Sequence, residues 1–246
     1  MRKILVLGAT SLIAQGTLKN FAKDKDSFLL VGRNKEKLSE VANDLTVHGA
    51  TSVHVKVLKD ICDISLHQAL IDEADKTLEN FDNFLVFYGM LGNQKEMQQD
   101  FSKGKELFDT NFISVASLLS IVANKFEKEK RGNIMAVSSV AGDRGRQSNY
   151  FYGASKGALS IFLSGLRARL SSKGVNVLTV KPGFVATPMT AHLEKGLLFA
   201  SSDYVGKTIY KAIKKNKNIL YTPCFWGLIM LIVKLIPECI FKKLKM

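Results

Sequence analysis

Two residues in the stretch YFYGASK, Tyr152 and Lys156, have the types and the spacing to move a proton. On a helix turning about 100° per residue they stack on one face, one turn apart, while Tyr150 points well away. A phenol titrates near 10 and is a poor proton shuttle at neutral pH. A lysine cation one turn away favours the phenolate and lowers that value by about a unit or more, which makes a tuned acid. Upstream, IMAVSSVAG places Ser138 and Ser139 at the end of an apolar run. A hydroxyl there can donate to an oxygen on which charge develops.

The elements that must hold these side chains are legible from periodicity. KILVLG, SFLLVG, VHVKVL, NFLVFYG, GNIMAVSS and VNVLTVKPG read as strands by length, β-branched content and glycine punctuation. Segments 11–23, 35–46, 65–80, 105–126 and 153–172 carry helical periodicity between them. Strict alternation of the two predicts an α/β chain, a Rossmann-type doubly wound parallel sheet with helices on both faces. Such sheets bind ligands at the carboxyl ends of their strands, where the serines fall. A chain of 246 residues suits one large domain, expected over residues 1–221, with residues 222–246 as a hydrophobic, basic tail.

The first strand runs into LGATSLIAQG, the context of a phosphate loop. Gly8 allows a tight turn and close backbone approach, and the helix start beyond it offers free N–H groups and a positive dipole end to a pyrophosphate. Thr10 and Ser11 add hydroxyl donors. The second strand ends in VGRN. Where an acidic residue would favour NAD, the chain has Gly32 and then Arg33, whose guanidinium either forks onto a 2′-phosphate or stands as a surface residue in the turn. Asp60, in KDICD, either meets an adenine amino group or caps the next helix. DTNFISVA puts Asn111 on a long helix, and VKPGFVAT ends a later strand with Pro182–Gly183 and Thr187 beyond.

The ordered set Gly8, Asp60, Asn111, Ser139, Tyr152-x-x-x-Lys156 and Pro182–Gly183 resembles the short-chain dehydrogenase/reductase family over nearly the whole chain. The resemblance implies an NAD(P)(H)-dependent oxidoreductase acting on CH–OH and C=O groups, here an NADPH-dependent reduction of a ketone to a secondary alcohol. Tyr152 is then the acid and Lys156 its tuner and a contact to the nicotinamide ribose. Ser139 holds the carbonyl oxygen, and Asn111 keeps a water that links Lys156 to solvent. Cofactor contacts are implied from Gly8, Thr10, Ser11, Leu12, Ile13, Arg33, Asn34, Asp60, Ile61, Gly89, Tyr152, Lys156, Pro182, Gly183, Val185 and Thr187. Tyr150 is expected in the pocket wall. The chain departs from the family pattern at Leu12 and Ala14, where glycines are usual, and at FYGM in place of NNAG. The added bulk leaves the cofactor's pose at the loop open.

GATSLIAQG, YGMLGNQ and the tail YTPCFWGLIMLIVKLIPECIFKKLKM together resemble one subgroup, the decaprenylphosphoryl-2-keto-pentose reductases. That resemblance implies a keto-sugar carried on a polyprenyl phosphate, reduced in the second step of a 2-epimerisation that a partner oxidase begins. Cell-envelope polysaccharide is the implied setting, and a homodimer or homotetramer the implied assembly. Hydrophobic, basic C-termini also occur in reductases of long-chain lipid ketones such as 3-ketosphinganine. A non-catalytic NADP(H)-binding protein on the same fold is a third reading.

From Cys224 to Val233 every residue except Gly227 is apolar. An element apolar all round is buried or lies in lipid. This one is too short to span a bilayer, which needs about 20 apolar residues. Shallow interfacial insertion and packing on its own domain or a second subunit both remain open. Nine lysines against one glutamate after Asp203 supply +8 of the net charge of +13. An anionic membrane surface fits a charge block beside an apolar tail, with Lys242, Lys243 and Lys245 nearest it, and a solvated basic helix is the plainer alternative. A nucleic-acid partner is not expected, because the block lacks interleaved aromatics. Cys62, Cys224 and Cys239 are scattered, so neither a disulfide framework nor a metal site is expected. MRKILVLGAT enters an apolar run too short for a signal peptide, and a cytoplasmic protein at the inner face of the membrane is expected.

Overall fold

The computed structural model describes residues 1–191, 194 and 196–244. The chain begins β1 (Lys3–Leu7), α1 (Leu12–Ala22), β2 (Ser27–Gly32), α2 (Lys35–Val47), β3 (Ser52–Val57), α3 (His67–Thr77) and β4 (Asn83–Val86). It continues with α4 (Gln94–Gln99), α5 (Phe101–Phe108), a π-helical turn (Asp109–Ile113), α6 (Ser114–Glu129), β5 (Gly132–Val137), α7 (Tyr150–Leu170) and β6 (Val175–Pro182). A small parallel pair, β7 (Phe184–Ala186) and β8 (Phe199–Ser201), leads to α8 (Ser202–Lys214), β9 (Ile219–Thr222), α9 (Phe225–Leu235) and α10 (Glu238–Phe241).

Seven strands form one parallel sheet in the order β3-β2-β1-β4-β5-β6-β9. The chain reverses its direction of travel between β1 and β4, which opens a crevice at their carboxyl ends. The six expected strands all lie in this sheet. β9 is the addition, a four-residue ILYT too short to stand out between a lysine-rich helix and an apolar tail. Central strands are buried on both faces, as Ile4, Leu5, Val6 and Leu7 are in β1, which is why they read as continuous apolar runs. One core, with Phe81, Phe84, Phe126 and Leu163, lies beneath α3, α6 and α7. The other, with Phe21, Phe28, Leu38 and Ile209, lies beneath α1, α2 and α8.

The tail is fastened to this domain by one stripe. Trp226, Met230 and Val233 of α9 and Phe241 of α10 are buried against Val140, with Phe184 and Tyr221 alongside. Arg144 clamps the helix end, donating to the carbonyls of Val233 and Ile236 and pairing with Glu238 at 2.9 Å. The opposite stripe, Leu228, Leu231, Ile232 and Leu235, is exposed. An apolar helix therefore has protein on one side only. Five of the C-terminal lysines, Lys207 to Lys217, belong to α8 and the turn after it, and Lys214 is held by Asp24 at 3.1 Å. Lys245 lies outside the described residues.

Candidate active site

β5 delivers Ser138 and Ser139 to the crevice with different tasks. Ser138 is buried, donates to the Lys156 carbonyl at 2.8 Å and shares a bond of 2.7 Å with Ser160 Oγ, so it binds strand to helix. Ser139 is extended; its Oγ accepts from Ala141 N at 3.1 Å and stands near enough to the Tyr152 phenol to favour its ionisation. The turn that follows Ser139 is pressed onto α7. A Cβ on Gly142 would meet the Lys156 carbonyl carbon and Gly157 N at 2.6 and 2.7 Å. Backbone contact of this kind sets Ser139 against Tyr152 with no side chain to act as a spacer.

Lys156 is 4% exposed, and its Nζ donates to the Val137 carbonyl at 2.9 Å while standing 5.9 Å from the centroid of the Tyr152 ring. Burial brings the ammonium down to about 8. The Tyr152 phenol is pushed up from its usual value by burial, and the neighbouring Ser139 hydroxyl opposes that only in part. This corrects the expectation of a phenol lowered by its lysine. Desolvation of a phenolate is the larger effect here, and the ammonium's bond goes to Val137. The pair is therefore a protonated phenol beside a charged lysine at neutral pH, poised to give a proton.

A pH dependence follows from that ordering. Below about 8 Lys156 carries its charge and supports negative charge developing on Tyr152; above it the support is lost. Reduction rates should be level through neutrality and fall above about pH 8 in a kcat/KM profile. A profile still level at about pH 9.5 would contradict the assignment.

Asn111 lies in the π-helical turn between α5 and α6, a kind of distortion frequent at functional sites. It is fully buried, accepts from Met90 N at 2.8 Å, and donates to Met90 O at 2.8 Å and Ser155 Oγ at 3.1 Å. It thus pins the segment where FYGM replaces the family's usual residues. Phe87 of that segment is buried, and Tyr88 packs inward with its hydroxyl 2.8 Å from Ser114 Oγ. Tyr150 does not line the groove as expected; it is 43% exposed and stacks on Phe151 at 5.1 Å. At the start of α7 it falls on the outer face, by the same helical geometry that separates it from Lys156.

A groove of about 2100 Å³ runs along the carboxyl ends of the strands, from Arg33 and Asp60 past Gly8 to Tyr152. Gly8 has φ +76°, and a Cβ there would meet Tyr88 N at 2.6 Å, so the crevice between β1 and β4 admits no side chain. Ser11 opens α1 without a side-chain cap, leaving donors directed to the groove. Leu12 is 39% exposed along the groove, whereas Ala14 is fully buried in the core. Of the two departures, only Leu12 adds bulk where a ligand would lie.

Thr10, Ile13, Ile61, Gly89, Pro182, Gly183, Val185 and Thr187 also line the groove. Asn34 does not; its Oδ1 accepts from Lys37 N at 2.7 Å and caps α2. Asp60 is exposed and accepts from Cys62 N at 2.8 Å, while the cap of the next helical turn is Asp63. Loop donors, a helix start and a continuous trough suit an extended dinucleotide.

Three groove residues escaped sequence reasoning. Gln94 precedes Phe151 in space, its Oε1 accepting from Phe151 N at 3.2 Å. Arg146 comes from DRGRQ, between Ser139 and Tyr152, where a second arginine beside the clamp Arg144 was the available signal. Trp226, the one tryptophan, lies over Gly183, where a Cβ would come within 1.9 Å of its Nε1. The tail therefore forms part of the wall beside the chemistry.

The family model described as short chain dehydrogenase matches residues 2–197. An uncharacterised oxidoreductase of Mycobacterium tuberculosis is 27% identical over 98% of this chain and 96% of its own length. Sulfoacetaldehyde reductase 2 of Chromohalobacter salexigens is 30% identical over 76% of this chain and 74% of its own. Among solved structures, a short-chain dehydrogenase from Sphingobium yanoikuyae in complex with NADPH superposes with a TM-score of 0.81 at 20% identity, covering 97% of each chain.

Proposed function

The chain belongs to the short chain dehydrogenase family and is an NAD(P)-dependent oxidoreductase, and from that premise we propose that it reduces a ketone with NADPH, the ketone being a sugar carried on a polyprenyl phosphate. The observation that carries reduction is the half-buried, protonated Tyr152 beside Ser139 with charged Lys156 on the same helix face. The groove residues Gly8, Ser11 and Arg33 would hold a nicotinamide cofactor, which would supply the hydride. Ser139 holds the carbonyl oxygen, and Tyr152 gives it a proton as the C=O bond is reduced. Lys156 stabilises the charge left on the phenol. Asn111 fixes the backbone of Met90 and, by family likeness, keeps the water that returns the proton.

Support for NADPH comes from the adenosine end. Arg33, Lys37 and Lys59 line the groove there, and none is in an ion pair among the described residues. Three cations outside any ion pair among the described residues suit a 2′-phosphate. Replacing Arg33 with alanine should weaken NADPH at least about tenfold and NADH little, read by fluorescence titration. Equal losses would remove the argument.

Support for a lipid-linked substrate comes from the tail. Its bare stripe adjoins Trp226, so a helix resting in the headgroup region brings the groove to a ketone that stays in the membrane. Lys234, Lys242 and Lys243 add roughly 1 kcal/mol each against anionic lipid. The same reading places the protein on the cytoplasmic face, beside an oxidase that supplies the ketone. Self-association through the long helices is supported by the exposed Ile113 and Ile161. The test is NADPH oxidation on vesicles holding a polyprenyl-phosphoryl 2-keto-pentose or 3-ketosphinganine. Turnover of the sugar lipid is expected; turnover of the sphingoid ketone alone would overturn the sugar assignment. Leu231→Glu with Leu235→Glu, both on the bare stripe, should abolish sedimentation with anionic vesicles.

A further inference from the structure

Arg146 is a cation in the groove wall and is in no ion pair among the described residues. Its Nη2 reaches only the Met230 sulfur at 3.3 Å, and its Nε has no partner. The nearby carboxylate is taken: Asp143 bonds Lys181 and accepts from the Tyr221 hydroxyl at 2.7 Å. Arg144, two residues earlier, has its own carboxylate in Glu238, so the loop supplies one satisfied guanidinium and one unsatisfied. Half-buried, the Arg146 guanidinium is less stable than in solvent, and burial lowers its pKa.

Other residues lining the groove carry buried polar atoms without partners among the described residues. Gln94 has its Oε1 fixed by Phe151 N and its Nε2 unpaired; Asn149, three residues before Tyr152, has an unpaired Oδ1; Trp226 has an unpaired indole Nε1. Buried groups of this kind are nearly always bonded, so unpaired atoms on four residues that line the same groove point to a ligand that completes the bonding. Three are donors, one of them on a cation, and one is an acceptor. That set matches an oxyanion carrying a neighbouring hydroxyl.

We propose that Arg146, assisted by Gln94 and Trp226, binds an oxyanion on the substrate itself, a phosphate or a carboxylate, and that this contact selects anionic ketones over neutral ones. The inference rests on the reading of the groove as a ketone-reducing site and deepens it. The anion sits between the reacting carbonyl and the tail, on the side from which a lipid-linked substrate would enter.

The test uses the full chain with Tyr152→Phe, which slows turnover, loaded with NADPH and titrated by calorimetry. The probes are dihydroxyacetone phosphate against dihydroxyacetone, and 4-oxopentanoate against 2-pentanone. At least one anion is expected to bind at least about tenfold tighter than its neutral partner, and the pair that shows this names phosphate or carboxylate. Adding Arg146→Gln should bring that ratio to parity, and Arg146→Lys should restore part of it. A ratio unmoved by Arg146→Gln, or no preference and no anion binding in the parent, overturns the inference. A fold defect would show as lost NADPH binding, and Arg146→Lys then carries the comparison, a reduced ratio supporting the guanidinium contact and an unchanged ratio overturning it. Failure of the reduction reading looks different: protein with Tyr152 intact would turn over none of the four ketones while the anion preference persisted.

Discussion

Replacing Tyr152 with phenylalanine is expected to lower ketone turnover by about 10²–10⁴, the usual share of a positioned general acid, with NADPH still bound. The variant keeps the ring on its face of α7 and removes only the hydroxyl beside Ser139. Because the phenol is held protonated by burial, its loss removes the proton source rather than a charge. The effect should therefore lie in kcat and be equal across the neutral range, measured by single-turnover absorbance of NADPH. A loss below about tenfold would move the acid to another group.

Ending the chain at Pro223 is the second large perturbation. β9 is kept, but Val140 loses Trp226, Met230, Val233 and Phe241, and Arg144 loses both carbonyls and Glu238. Each large side chain contributes about 1.5–3 kcal/mol of burial, so the melting temperature should fall by more than about 5 °C. Turnover should fall with it, because the turn that carries Ser139 is the floor on which the tail rests. A truncated protein that left the membrane yet kept full stability and turnover of a soluble ketone would show the tail to be an anchor alone. Leu231→Glu with Leu235→Glu separates the two roles, since those positions face away from Val140.

What was legible in the sequence followed from local rules. Apolar runs such as KILVLG could only be strands buried on both faces, and the helical spacing of Tyr152 and Lys156 survives in α7. Helix ends came out within a few residues, as segment 153–172 against Tyr150–Leu170. What failed depended on contacts distant in sequence. The direction of the Tyr152 shift turned on burial and on Lys156 bonding Val137, neither of which spacing encodes. Asn34 read as a cofactor contact because it follows Arg33, but its carbonyl oxygen caps α2. Leu12 and Ala14 looked alike as departures, and only the fold separates a groove residue from a core residue. Arg146 and Trp226 lie in segments that looked like loop and tail, and the packing of α9 on Val140 is what brings them beside the groove.

The most direct test of ketone reduction by this site is isotope transfer from NADPH deuterated at the nicotinamide C4 to a polyprenyl-phosphoryl 2-keto-pentose in anionic vesicles. The account predicts one deuterium on the former carbonyl carbon of the product, with none in the Tyr152→Phe reaction over the same interval. A product without deuterium, or label transfer unaffected by Tyr152→Phe, would contradict it.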